Sequence, residues 1–191
     1  KLQLSTRSIL LKDLVIFIKS LTNKPELFIL ENSIKNGQVI VDIELSFDEN
    51  GEIKQDYKIK GLLKNGKIDL FKNYKFEKIN FLLDVKNKIF SIKDLSFTTN
   101  KTNFFSNNLE ITQNNKDFSI KGEIENDNSY LNSELLKLLN LDLKNFNFLN
   151  TNYVSKNKFS FNIDNKLKIN NLDITSEIKV NKSEYLKPIL F

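Results

Sequence analysis

Residues 61–67, Gly-Leu-Leu-Lys-Asn-Gly-Lys, match most of the glycine-rich loop with which many nucleotide-binding proteins hold phosphate. The next residue is Ile68, where that loop has the Ser or Thr that holds magnesium. A strand pattern follows, so no helix N-terminus is offered to a phosphate. We therefore predict no nucleotide site here and a glycine-containing hairpin turn instead.

Acidic residues are the second group whose types could do chemistry. Residues 48–52, Asp-Glu-Asn-Gly-Glu, are acidic enough for a calcium loop but lack the alternating ligand order and the distal Glu of an EF-hand. A solvated hairpin tip is the prediction for this segment. Glycosidases need only two carboxylates, but nothing in the sequence singles out a pair.

The chain contains no His and no Cys. Serine and cysteine hydrolase triads and zinc-hydrolase sites are thereby excluded, as is any disulfide framework. A hydrolase built from Asp, Glu, Lys, Ser and Tyr alone stays chemically open. The expectation is a protein that is not an enzyme, with no catalytic residues, no metal and no cofactor.

The net charge of +5 is spread along the chain, and Arg7 is the only arginine. Nucleic-acid binding favours clustered basic residues with stacking aromatics, so no nucleic-acid partner is expected. No stretch reaches the roughly 18 continuous apolar residues of a membrane span, and no signal peptide is present. Because the sequence starts at Lys1 and lacks Met, we expect a fragment whose targeting segment or anchor lies outside it.

The first element that must position any site is a helix. Leu10, Leu14, Phe17 and Leu21 are spaced four, three and four residues apart, which predicts an amphipathic helix near residues 6–21. Pro25 is expected to stop it. A second short helix is predicted at residues 132–141, where leucines follow a capping serine.

Elsewhere the apolar period is two, which predicts β-strands. Turns are expected at Asn50-Gly51, at Asn65-Gly66 and at residues 86–88, 114–116 and 164–166. A change of phase before Leu95 and Phe97 suggests a β-bulge. The sections are a helical lead-in at residues 1–25, a first β section at 30–128, a helical seam at 129–145 and a second β section at 146–185.

The predicted fold is therefore all-β: a mainly antiparallel meander of short strands that forms a curved sheet or groove, with the two helices added. Alternation places apolar side chains on one side of the sheet, which something must cover. Another sheet or a lipid chain would do so. The residues predicted to line one continuous concave surface are Val41, Ile43, Leu45, Ile59, Leu63, Phe81, Leu83, Val85, Phe118, Ile120, Phe161 and Ile163.

Four segments share one cadence of a short strand, a polar turn and another short strand. They are residues 61–70 (GLLKNGKIDL), 76–97 (FEKINFLLDVKNKIFSIKDLSF), 109–124 (LEITQNNKDFSIKGEI) and 159–180 (FSFNIDNKLKINNLDITSEIKV). In this cadence the chain resembles the AsmA-like envelope proteins of Gram-negative bacteria. That group includes the TamB and YhdP branches, which are repeating β-groove proteins, and the resemblance covers most of residues 30–180.

The resemblance implies a curved sheet that is apolar inside and polar outside, anchored in the inner membrane and reaching into the periplasm. It also implies phospholipid transport or support of outer-membrane assembly, with acyl chains bound on the apolar residues named above. Two alternatives stay open on the residues themselves. One is a structural or adhesive β-sandwich with a dry core, and the other is a polysaccharide-binding envelope module.

Overall fold

A computed structural model describes residues 1–21, 25–52, 54, 56–70, 74–114, 117–130, 148–164 and 168–185. Within these residues the chain forms eleven strands and two helices. In chain order they are β1 (Leu2–Ser5), β2 (Ile9–Leu10), α1 (Leu11–Leu21), α2 (Pro25–Ser33), β3 (Ile34–Leu45), β4 (Lys58–Leu70), β5 (Tyr74–Lys86), β6 (Ile89–Thr99), β7 (Thr102–Asn114), β8 (Asp117–Asn126), β9 (Ser129–Tyr130), β10 (Phe148–Ile163) and β11 (Ile169–Tyr185).

The described strands belong to one curved, open sheet, which confirms the predicted all-β fold. Its order is β1-β3-β4-β5-β6-β7-β8-β10-β11, with β2 beside β3 and β9 beside β10. All of these pairings are antiparallel, and from β3 to β8 each strand pairs with the next. Because β8 pairs with β10, one sheet runs through both predicted β sections.

Tight turns join the central strands. Asn87 and Lys88 have φ values of 52° and 64°, and they form the turn predicted at residues 86–88. Two successive residues of positive φ suit the right-handed twist of a hairpin, and Asn accepts this conformation readily. Asn100 and Lys101, with φ of 48° and 65°, repeat the arrangement between β6 and β7.

A row of β-bulges crosses four neighbouring strands. Asn65 in β4, Lys78 in β5 and Asp94 in β6 all have φ near 50°, and Gly37 in β3 has φ of 140°. The bulge predicted before Leu95 is thus confirmed at Asp94. Each bulge shifts the alternation by one residue, so apolar residues on both sides of it return to the same side of the sheet.

The predicted hairpin turn at Asn65-Gly66 is wrong. β4 runs unbroken from Lys58 to Leu70, and residues 61–67 lie in its interior. The Asn-Gly sequence predicted a turn, but the φ of 52° at Asn65 produces a bulge within the strand. The segment that resembled a phosphate-binding loop lies in a strand that pairs with β3 on one side and with β5 on the other.

The predicted first helix ends where the structure ends it, at Leu21, but its predicted start is wrong. α1 begins at Leu11, not near residue 6, because residues 2–5 and 9–10 pair with β3 and satisfy their backbone groups there. Pro25 starts α2 as well as following α1, since a proline at the first helical position loses no hydrogen bond. The helix predicted at residues 132–141 lies outside the described residues.

The core lies where α1 packs against the sheet. Val39, Val41, Leu63 and Ile79 form a buried cluster, and Leu11 and Leu14 of α1 pack against it. Only part of the apolar stripe predicted for the helix packs against the sheet. Leu10 lies in β2 and is exposed, and Phe17 is 58% exposed.

Candidate functional site

All twelve predicted site residues lie on one side of the sheet, here called the apolar face. Residues directly opposite each other in an antiparallel pair point to the same side of the sheet, so the strand register shows which side chains share a side. A first row of paired residues crosses eight strands: Leu4, Ile43, Ile59, Val85, Phe90, Ile111, Ile120 and Phe161.

A second row lies beside the first, two residues along each strand. Its members are Val41, Gly61, Leu83, Ile92, Leu109, Gly122, Phe159 and Ile174. The remaining predicted residues join these rows by the same pairings. Leu45 is opposite Leu2, Leu63 is opposite Phe81, and Ile163 is opposite Phe118.

The prediction omitted residues of β6 and β7 that complete the face. Phe90, Ile92, Leu109 and Ile111 carry both rows across the middle of the sheet. Their strands were predicted, and their alternation was the signal that would have placed them on the face. Only the pairing shows that they bridge the residues of β5 and those of β8.

Burial differs along the apolar face. Leu63, near α1, is 4% exposed and Val85 on β5 is 1% exposed, whereas Ile43, Leu83 and Phe161 are half-buried. In the described part of the chain, the two helices pack against one end of the sheet. α1 contacts β2 and β3, and α2 contacts β3 and β4. The face is therefore sealed at the end under the helices and, beyond that end, buried at Val85 and partly open at the half-buried positions. That this open part is concave stays a prediction.

The opposite side of the sheet, here called the polar face, carries ion pairs between neighbouring strands. Lys58 lies 3.4 Å from Glu44, and Lys121 lies 2.9 Å from Glu110. Both pairs are directly opposite in the register, where opposite charges stabilise a sheet modestly. The Lys1 ammonium, at 2.6 Å, also bonds Glu44 and holds the pKa of that carboxyl below its usual range.

Lys156 is the centre of the densest charge cluster on the polar face. Its ammonium lies 2.6 Å from Glu123 and 2.9 Å from Glu125, both on β8. Hydrogen bonds to these carboxylates, first to Glu123, raise the pKa of Lys156. The same ammonium lowers the pKa of Glu123. Several lysines of the polar face are thus paired with carboxylates across strands, which suits a solvated structural face.

One end of the apolar face is polar, and sequence reasoning missed it. Asn126 accepts a 2.7 Å hydrogen bond from the backbone N–H of Ser155 and donates one to the carbonyl of Tyr153. Burial raises the pKa of Tyr153, whose hydroxyl also bonds Thr102. Sequence alternation cannot show that these residues meet. The buried polar side chains at this end, called the polar corner, are Thr102, Ser106, Asn126, Ser129, Thr151 and Ser155.

The acidic segment at residues 48–52 forms the predicted turn. The Asp48 carboxylate accepts backbone N–H bonds from Asn50 and Glu52, each 2.9 Å long. One of its oxygens is thereby committed to holding the turn. Among the described residues there is no group of three or more acidic side chains placed to hold a metal ion.

No helix within the described ranges is long and apolar enough to cross a membrane. Comparison with family models, with curated proteins and with solved structures gave no match. The resemblance to AsmA-like proteins is neither supported nor opposed by these comparisons, and it stays a prediction.

Proposed function

We propose that this chain binds lipid acyl chains on the apolar face, as a non-enzymatic segment of a cell-envelope protein. The observation that carries the proposal is the first row: eight apolar side chains on eight adjacent strands, most of them half-buried. At about 4.8 Å between strands the row spans roughly 34 Å along the sheet. A surface that is apolar, continuous and incompletely covered suits a flexible apolar chain.

Energetics favour an acyl chain as the occupant. Each methylene moved from water onto an apolar surface contributes about 0.8 kcal/mol, so a chain that covers part of the row is held without any specific polar contact. The polar face carries charged side chains, several of them paired across strands, and offers no continuous apolar surface to such a chain. Binding of this kind selects for chain length and fluidity more than for headgroup.

The wider role follows the resemblance described above. We propose that the segment serves phospholipid transport between membranes, or outer-membrane assembly, from the periplasm. Membrane anchoring would come from regions outside this sequence. A dry sandwich would need a second sheet over the apolar face, and the described strands all belong to the one sheet.

Photo-crosslinking tests the proposal directly. A benzophenone amino acid is placed at Ile43 or Leu83 on the apolar face, with matched controls at Asp42 and Asp84, their neighbours on the polar face. After irradiation with phosphatidylethanolamine and phosphatidylglycerol vesicles, mass spectrometry should find lipid adducts at positions 43 and 83 and not at 42 and 84. Equal labelling at all four positions, or none at 43 and 83, would refute lipid binding on this face.

A charge substitution distinguishes the open surface from a dry core. Leu83→Lys should block lipid capture with a modest loss of stability, because the half-buried side chain can turn its ammonium to water. In a dry core the same change would bury an unpaired charge and cost several kcal/mol, enough to unfold a marginal domain. Asp84→Lys, on the polar face, is the control. Comparing the melting temperatures of the two variants distinguishes an open surface from a dry core.

A further inference from the structure

The last strand of the sheet has one free edge. β11 pairs with β10 along one side, and within the described part of the chain no strand pairs with its other side. It is a long strand, Ile169–Tyr185, and its apolar side chains are 54% to 64% exposed: Ile169, Leu172, Ile174, Ile178 and Val180. A long apolar edge of this kind is a template for pairing with another strand.

The sequence of β11 is complementary to itself when it is read antiparallel. With the centre at Ser176, each residue lies opposite the one equally far on the other side. Asp173 then falls opposite Lys179, and Ile174 falls opposite Ile178. Leu172 falls opposite Val180 in the same way. A two-fold axis makes every one of these pairs occur twice.

Neighbouring registers are worse, which argues against chance complementarity. Moving the centre one residue toward the N-terminus places Asp173 opposite Glu177, and moving it one residue the other way places Glu177 opposite itself. Like charges directly opposite each other destabilise a sheet. Moving the centre two residues toward the C-terminus pairs Glu177 with Lys179 but sets Ser176 against Val180, which breaks the apolar pairing.

We propose that β11 pairs with β11 of a second copy of this chain, antiparallel and with the two-fold axis through Ser176. Such a closed, isologous contact joins two open sheets into one. Because opposite residues share a side, the apolar faces of the two copies become continuous. The Asp173–Lys179 pairs lie on the polar side of the junction and set its register.

A single cysteine tests the register, since the chain has no cysteine of its own. Residues directly opposite in an antiparallel pair have Cα atoms about 4.5–5.5 Å apart, within disulfide range. Ser176→Cys should therefore form a disulfide-linked dimer under mild oxidation. Asn170→Cys is the matched control on the same strand, at a position outside the pairs described above. It should give no disulfide-linked dimer on a non-reducing gel, because the two copies of position 170 lie about 40 Å apart.

Exchanging the charges tests the proposed register of the dimer without an introduced cysteine. Asp173→Lys or Lys179→Asp turns both ion pairs into repulsions and should raise the dimer dissociation constant about tenfold or more. The double variant should restore it, and Lys93→Asp, on the inner strand β6, should leave it unchanged. Light scattering over a concentration series gives the constants.

A monomer at every concentration, equal crosslinking at positions 170 and 176, or a double variant that stays monomeric would each overturn the proposal. The first result would also leave the edge open to a strand of another polypeptide. Lipid capture at positions 43 and 83 is measured separately, so failure of the dimer leaves the proposed function standing.

Discussion

Gly66→Ala and Gly61→Ala form a matched pair that tests how the sealed end of the apolar face is packed. Both glycines lie in β4, and neither has a left-handed φ, so backbone strain does not separate them. A methyl group at Gly66 would lie 3.0 Å from Cβ of Ile79 and 3.0 Å from a terminal carbon of Leu63. A methyl group at Gly61 would lie 3.5 Å from Cβ of Leu83, an ordinary van der Waals contact.

The two substitutions should therefore change stability in opposite directions. The Ile79 Cβ is fixed to the neighbouring strand and cannot turn away, so Gly66→Ala forces the strands to shift and should cost about 1–3 kcal/mol. Gly61→Ala meets no such obstacle and should stabilise the protein by about 0.4–1 kcal/mol, through a less flexible unfolded chain. Guanidinium unfolding followed by far-UV circular dichroism gives both values from the midpoints at constant m. Equal stability of the two variants would refute this account of the packing.

Two further predictions use the same unfolding measurement. Leu63→Ala should cost about 2–5 kcal/mol and Leu83→Ala clearly less, since only Leu63 is sealed beneath α1 and its loss leaves a cavity; equal losses would contradict a partly open face. Lys156 lowers the pKa of Glu123 in the folded protein. The ion pair therefore adds to the free energy of unfolding above the unfolded-state pKa near 4.5, and this stabilisation is lost as the pH falls through the lower folded-state pKa. Glu123→Gln should flatten the stability profile over that acidic range, and an unchanged profile would show that the ion pair contributes nothing.

The apolar face was predictable because period-two alternation fixes which side chains share a side within each strand. Val41, Ile43 and Leu45 alternate without a break, and the register only had to join them to the next strand. Their role as lipid ligands stays a prediction. The buried polar end was not predictable, since Asn126 and Ser155 lie 29 residues apart and nothing local marks them as partners.

Bulges mark where sequence reasoning loses information. Asn65 adopts the same left-handed conformation that an Asn-Gly turn uses, so the residue alone cannot say whether the chain reverses or continues. The pairing of β4 with β3 and β5 decides it. Lys78 offers no signal at all, because lysine has no special preference for positive φ. The helix α2 was missed because Leu27, Phe28, Ile29 and Leu30 form an apolar run without helical spacing.

The order of the strands also sets the order in which the sheet assembles. Between β4 and β8 each turn is only two or three residues long, so these hairpins lose little loop entropy and can close within microseconds. The β3–β4 connection spans residues 46–57 and the β8–β10 connection spans residues 127–147, and these pairings should form later. Growth from β4 toward β8 follows the direction of synthesis. Each strand from β5 to β8 therefore finds the edge of the preceding strand as it leaves the ribosome, and among the described strands the edge of β11 is made last.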